Sequence, residues 1–207
     1  MQERHTRPVQ GRTRWRRFAI VSVPAVVAAG GIIVGMANGA IAASFVVSKG
    51  PFKVSADTLS GQDFVQYGSL VAEKDGTTHP VAVAGIGSAT ITNMCQSVLV
   101  PLPTGQTVSV ILHAGNKGRD AKASNLMFNM DSMQGDATFT ALNIGKDAST
   151  VGSAGAPKGL AGGFGQDATD VTLTNVKQVA RSASAGSFTL PDLDLKVSLT
   201  ADECFPG

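Results

Sequence analysis

The sequence contains few aromatic residues, and this shortage excludes one class of exported protein. Only one Trp and one Tyr occur among 207 residues. Exported carbohydrate-binding modules commonly stack sugars on exposed Trp or Tyr rings, so we do not expect a module of that kind. The nine Phe residues have no polar group, and they are better suited to a hydrophobic core.

Charged residues are absent from Phe18 to Ser48, although residues 1–17 contain six Arg. An Arg cluster resists crossing a bilayer and stays in the cytoplasm. About 20 apolar residues in a helix span the hydrocarbon core, and the run from Phe18 to Ala37 has that length. The sequence therefore predicts a basic cytoplasmic region at 1–17, a hydrophobic signal or anchor helix at 18–43 and an extracytoplasmic β-domain at 44–207.

Two fates of this leader (residues 1–43) remain open. Ala40 and Ala42 form the small-x-small pattern that a signal peptidase reads, and cleavage after Ala42 would release the domain. The apolar segment is longer than the roughly 7–15 residues of a typical cleaved signal, which favours a permanent single-pass anchor. In both cases we expect the N-terminal helix to be the contact with the membrane.

The net charge changes sign after the basic segment. Residues 1–17 contain six of the 17 basic and one of the 15 acidic residues, so the remainder has 11 bases, 14 acids and a charge near −3. Nucleic-acid binding depends on basic side chains that neutralise phosphates. We therefore expect no nucleic-acid partner.

Only two cysteines occur, Cys95 and Cys204. Export would place them in an oxidising compartment, where two thiols usually form one disulfide. The alternative is a zinc site, which would need two more ligands. Beyond the leader only His79 and His113 are available, and neither has zinc-finger spacing. We predict a disulfide, and we predict no metal or other cofactor.

Short alternating apolar runs, separated by Gly, Asn, Asp and Pro, follow the leader, and almost no helical periodicity is present. This pattern is typical of strands and turns. We predict an all-β fold, a sandwich or barrel-like domain after the N-terminal hydrophobic helix. A β-solenoid is the alternative because several runs share a loose frame, but its coils would hold Cys95 and Cys204 too far apart for a disulfide. The Gly/Ala/Ser-rich segment 147–167 is predicted to be a mobile surface loop.

Complete catalytic motifs are missing. The Gly-x-Ser-x-Gly elbow of serine esterases does not occur, and the closest sequence surrounds Ser153. The stretch "GGFGQDATD" at 162–170 nearly fits a calcium-binding nonapeptide, but one copy supplies only half of a calcium cage. Walker A, dinucleotide-binding and metalloprotease patterns are also missing. We predict no catalytic, cofactor-binding or metal-binding residues. The polar side chains that come nearest to a catalytic base or an acid pair are His79, His113, Asp131 and Asp136, and turn residues of this kind are usually not catalytic.

Several phrases of the sequence are distinctive together, among them "FVQYGS", "MCQSVLVP", "GDATFTALNIGKDAS", "AGSFTLPDLDLKV" and the terminal "ECF". With the leader, they resemble an uncharacterised family of exported, membrane-associated actinobacterial proteins. The resemblance implies a one-domain surface protein, often encoded beside a small multi-span membrane protein, and some members carry the label cholesterol esterase. It supplies no functional residues.

These observations lead to two expectations about function. The first is a non-catalytic, exported or membrane-anchored cell-envelope protein that acts by binding, with a neighbouring multi-span membrane protein as the partner that the resemblance suggests. The alternative is a carrier of an apolar ligand such as a lipid or sterol, or a divergent esterase. Four apolar residues that lie close together in the sequence would then line the ligand site: Met127, Phe128, Met130 and Met133.

Overall fold

The computed structural model of the protein describes residues 50–151 and 156–206. The predicted signal or anchor helix, with Phe18, Ala37, Ala40 and Ala42, lies outside the described residues. The part of the chain that the structure describes contains no helix with the length and hydrophobicity that a bilayer crossing requires.

The described part is built from strands, as the sequence predicts. Nine strands follow one another: β1 (Phe52–Ala72), β2 (Thr78–Thr92), β3 (Met94–Pro101), β4 (Thr107–Ala114), β5 (Ala121–Thr140), β6 (Asn143–Asp147), β7 (Phe164–Ser184), β8 (Ser187–Thr189) and β9 (Asp194–Ser198). They form one sheet in the order β6-β7-β5-β2-β1-β3-β4-β9, with β8 paired to β5.

All the strand pairings described are antiparallel, which decides between the predicted architectures. A solenoid stacks parallel coils, so the solenoid alternative is wrong. Four long strands pair in a ring, because β1 pairs with β2, β2 with β5, β5 with β7 and β7 with β1. The sheet as a whole is not a closed barrel, because β3, β4 and β9 extend from β1 as an open flap. The predicted all-β class is confirmed.

The ring strands are longer than the sequence runs suggest because several turn-forming residues lie inside them. Asp63 in β1, Asn125 in β5 and Asn175 in β7 have φ values of 56°, 47° and 54°, a conformation that Asn and Asp tolerate better than most residues. Gly135 lies where the register between β5 and β7 shifts, and its φ is 150°. These positions interrupt the alternation of side chains as β-bulges do, and the strands continue through them.

The main hydrophobic core lies on one face of the ring. Buried side chains from all four ring strands meet there, including Phe64, Ile86, Leu126 and Val171. Each of these four side chains is at most 2 % exposed. The centroids of the aromatic side chains of Phe64 and Phe139 are also 5.3 Å apart. This core fixes the register of the ring, because a slip of one residue would turn the apolar side chains outwards.

A second, smaller cluster lies on the opposite face of β1 and β2, where it is covered by the connection between β6 and β7. Val65 and Tyr67 of β1 belong to it because successive strand residues point to opposite faces. The connection contributes Ala148, Val151 and Ala156, all of which are buried. The segment predicted to be a mobile surface loop therefore packs three of its described residues against the sheet, although others remain exposed, and β7 begins within it, at Phe164.

Candidate functional site

The predicted disulfide is present. Cys95 of β3 is joined to Cys204, and their Cα atoms are 5.9 Å apart. The backbone N–H of Cys204 donates a hydrogen bond to the Oγ atom of the buried Ser97, at 3.0 Å. The disulfide therefore fixes the C-terminal segment to the flap, although the two cysteines are 109 residues apart in the sequence.

Lys53 holds the residues around Cys204 in place from the side of β1. Its Nζ atom donates to Oε2 of Glu203 at 2.7 Å and to the backbone oxygen of Phe205 at 3.1 Å. The same Nζ atom lies 5.2 Å from the centroid of the Phe205 ring, within range of a cation–π interaction. The C-terminal segment is thus held to the start of β1 by the Lys53 ammonium group and to β3 by the disulfide.

A polar cleft of about 380 Å³ lies beside the disulfide. Asp57, His113 and Lys177 line it, and Oδ2 of Asp57 accepts a hydrogen bond from Asn93 at 3.1 Å. The Nε2 atom of His113 is 4.0 Å from Sγ of Cys95. The described residues contain no group of three or more His, Cys, Asp or Glu side chains placed to hold a metal ion. The cleft has the size and polarity to admit a small polar molecule.

The other histidine that is a candidate base, His79, belongs to a network of polar and charged side chains that crosses the ring of strands. Its Nε2 atom lies 3.0 Å from Oε1 of Glu73, and the same oxygen accepts from Arg181 at 3.1 Å. Arg181 also donates to Oδ1 of Asp131 at 2.7 Å. These residues come from β2, the end of β1, β7 and β5, so the network links all four ring strands.

Asp131 and Asp136, the two candidates for an acid pair, have separate partners. Asp131 bonds to Arg181, whereas Asp136 accepts a hydrogen bond from Nδ2 of Asn175 at 3.1 Å. Ser153, the centre of the incomplete esterase motif, lies outside the described residues. The structure thus brings none of the acids weighed for catalysis into a shared site.

The calcium-like stretch 162–170 does not assemble a cage of carboxylates. Asp167 accepts hydrogen bonds from Lys146 at 2.5 Å and from Asn143 at 2.9 Å, so a lysine already balances its charge. The carboxylate of Asp147 accepts from the backbone N–H of Gly162 at 2.7 Å. This hydrogen bond joins the stretch to the end of β6, beside the residues that cover the second hydrophobic cluster.

The residues considered for an apolar ligand are divided between the two cores. Phe128 and Met130 belong to the main cluster, whereas Met127 belongs to the second cluster, and all three are buried. Met133 lines a cavity of about 40 Å³, whereas ligand sites usually have about 300–1,000 Å³. These four side chains do not line one common cavity.

Two groups of exposed apolar side chains lie at opposite ends of the strand order. We call the first the β6 patch; it consists of Leu142, Ile144, Leu160 and Phe164, which are 36–73 % exposed. We call the second the β9 stripe; it consists of Leu193, Leu195, Val197 and Leu199, which are 53–67 % exposed. The sequence predicts strands or loops in both regions but does not identify them as surfaces. The alternation in "LDLKVSL" indicates a strand without showing that it lies at an edge of the sheet.

Comparison with known proteins gives a family but no activity. Residues 48–205 match a family of unknown function, DUF6230. Searches of curated proteins and of solved structures each found no match. Because the match covers more than half of the sequence, the chain belongs to the DUF6230 family.

Proposed function

We propose that this member of the DUF6230 family is a non-catalytic cell-envelope protein whose β-domain acts by binding a neighbouring membrane protein. The Arg-flanked apolar leader delivers the domain across the membrane and either anchors it or is removed after Ala42. The Cys95–Cys204 disulfide supports this location, because disulfides persist in oxidising compartments.

The β6 patch is the observation that carries the binding proposal. Ile144 pairs with Gln166 and Phe164 pairs with Asp147 across the β6–β7 ladder, so Ile144 and Phe164 lie near one another at the edge of the sheet. Both are more than 60 % exposed, and Leu160 in the adjoining turn is 73 % exposed. A group of exposed large apolar side chains is typical of a protein or membrane contact.

A comparison of matched variants tests the patch. Ile144 and Leu70 are equally exposed, at 65 %, but Leu70 lies outside the patch. Full-length protein would be used to capture partners from the detergent-solubilised envelope of its own host, and captured proteins would be identified by mass spectrometry. We expect an integral membrane protein to be retained by wild type and by Leu70→Asp but lost with Ile144→Asp. Equal capture by both variants would contradict a role for the patch.

The alternative function is an apolar-ligand carrier or a divergent esterase, and it is favoured only by the label that some resembling proteins carry. Incubation with short and long acyl esters separates it from the binding proposal. We expect no hydrolysis, whereas turnover that a serine-reactive reagent abolishes would favour the esterase.

Trp fluorescence tests whether the leader is removed, because Trp15 is the only Trp. Protein recovered from the culture should show no Trp emission if the leader is cleaved.

A further inference from the structure

β9 is the last strand of the sheet, and within residues 50–151 and 156–206 it pairs only with β4. Residues 194–197 are exposed, so side chains on both faces of the strand are accessible to solvent. An edge strand of this kind offers a row of backbone donors and acceptors to a further strand. The side chains of β9 then determine which strand can pair with it.

One face of β9 is apolar. Leu195 and Val197 point to the same side of the strand because they are two residues apart, and Leu193 and Leu199 continue the alternation on either side. Across the flap, Val197 pairs with Val110, which in turn pairs with Val98. The β9 stripe is therefore the outer border of an apolar face that extends over three strands.

The opposite face of β9 carries two opposite charges, Asp194 and Lys196. Their side chains contact each other at 3.0 Å while remaining 51 % and 70 % exposed. An acid and a base therefore flank Leu195, and this arrangement is complementary to a second, antiparallel copy of itself. If a second copy of the strand runs antiparallel with Leu195 opposite its own counterpart, each Asp194 faces a Lys196 of the other copy.

We propose that β9 pairs with β9 of a second copy of this chain, in the register that places Leu195 on the twofold axis. In this register Leu193 faces Val197 of the other copy, so the apolar stripes also match. A shift of two residues in either direction would set Lys196 against Lys196 or Asp194 against Asp194, and like charges directly opposite each other are destabilising. The interface is isologous, so it closes at a dimer.

This dimer is independent of the proposed membrane partner, because the β6 patch and β9 lie at opposite ends of the strand order. Pairing through one five-residue strand uses a small area, and small interfaces belong to weak or transient associations. We therefore expect a dimer that dissociates on dilution.

Variants that reverse one charge of β9 test the proposal. The strength of dimerisation is measured by sedimentation of full-length protein in a mild detergent over a range of concentrations. Lys196→Glu leaves two acids on each strand and Asp194→Lys leaves two bases. Each variant alone should dimerise at least about ten-fold more weakly than wild type, because both cross-strand pairs become repulsive. An equimolar mixture of the two variants should recover the dimer, because every acid then faces a base.

A cysteine variant checks the register independently. Directly opposed strand residues have Cα atoms about 4.5–5.5 Å apart, within reach of a disulfide. Leu195→Cys should form a covalent dimer under mild oxidation, and the control Leu70→Cys, at a position that is somewhat more exposed, should not. The proposal is overturned if wild type stays monomeric at all concentrations, if the mixture dimerises no better than the single variants, or if both cysteine variants cross-link equally.

Discussion

Removing the disulfide is the perturbation with the largest calculable effect on this domain. Cys95 and Cys204 are 109 residues apart, and in the chain-entropy treatment a loop of that length contributes about 4–5 kcal/mol to the free energy of unfolding. The total for a natural domain is about 5–15 kcal/mol. Replacing both residues by Ser should therefore remove about a quarter or more of the stability and lower the midpoint of thermal unfolding by about 10–20 °C.

Urea unfolding followed by circular dichroism measures this loss. Wild type treated with a reductant should unfold at nearly the same urea concentration as the double Ser variant, since both lack only the cross-link. Ser97→Ala separates the cross-link from the docking of the C-terminal segment, because it removes the hydrogen bond from Cys204 and keeps the disulfide; it should cost about 1–2 kcal/mol. A double Ser variant within about 1 kcal/mol of wild type would refute the loop-closure reasoning.

Three further predictions concern single side chains. Gly61→Ala would place a Cβ atom 2.3 Å from a methyl group of a buried side chain on β2 and should destabilise by about 1–3 kcal/mol; Gly68→Ala on the same strand meets no atom within 4 Å and should be nearly neutral in the same denaturant assay. Burial raises the pKa of Tyr67 above its ordinary 10.0, and because it is the only Tyr, tyrosinate absorbance reports it alone. Its contribution to stability should be complete below pH 10.0 and be lost as the pH rises through the raised pKa; titration at the ordinary value would contradict this. Hydrogen bonds from the hydroxyl and N–H of Ser149 and from a loop N–H lower the pKa of Asp147 below 3.8, so its contribution should be present above that pH and fade as the pH falls through the lowered pKa. Denaturant unfolding as a function of pH should show that Asp147→Asn removes this acid-range dependence, and an unchanged pH profile would be the contrary result.

Local patterns in the sequence predicted the strands and the disulfide but not the lengths of the strands. Alternating apolar residues identify a half-buried strand wherever it lies. Residues 57–62, for example, contain turn-forming residues and no clear alternation, but pairing with β2 and β7 on both sides makes them part of β1. Tertiary contacts therefore extend the strand beyond what the local pattern indicates.

The exposed surfaces could not be predicted because they depend on the order of strands in the sheet. "LDLKVSL" and "VTLTNVKQV" have similar alternation, but β9 lies at an edge and β7 lies between β5 and β1. The packing of the described residues between β6 and β7, 148–151 and 156–163, could not be predicted for another reason. The buried ones among them are mostly small, such as Ala148 and Ala156, and their composition is that of a loop.

The hydrogen bonds between Lys53 and the C-terminal segment indicate how this domain can be re-engineered. Because the two ends of the described fold are held side by side, a short linker could join them, and new termini could be opened at the exposed turn Lys74–Gly76 without breaking a strand ladder. Such a circular permutant would retain the same strand pairings. A fluorescent label attached beside Phe205 would, for the same reason, lie close to the point where β1 begins.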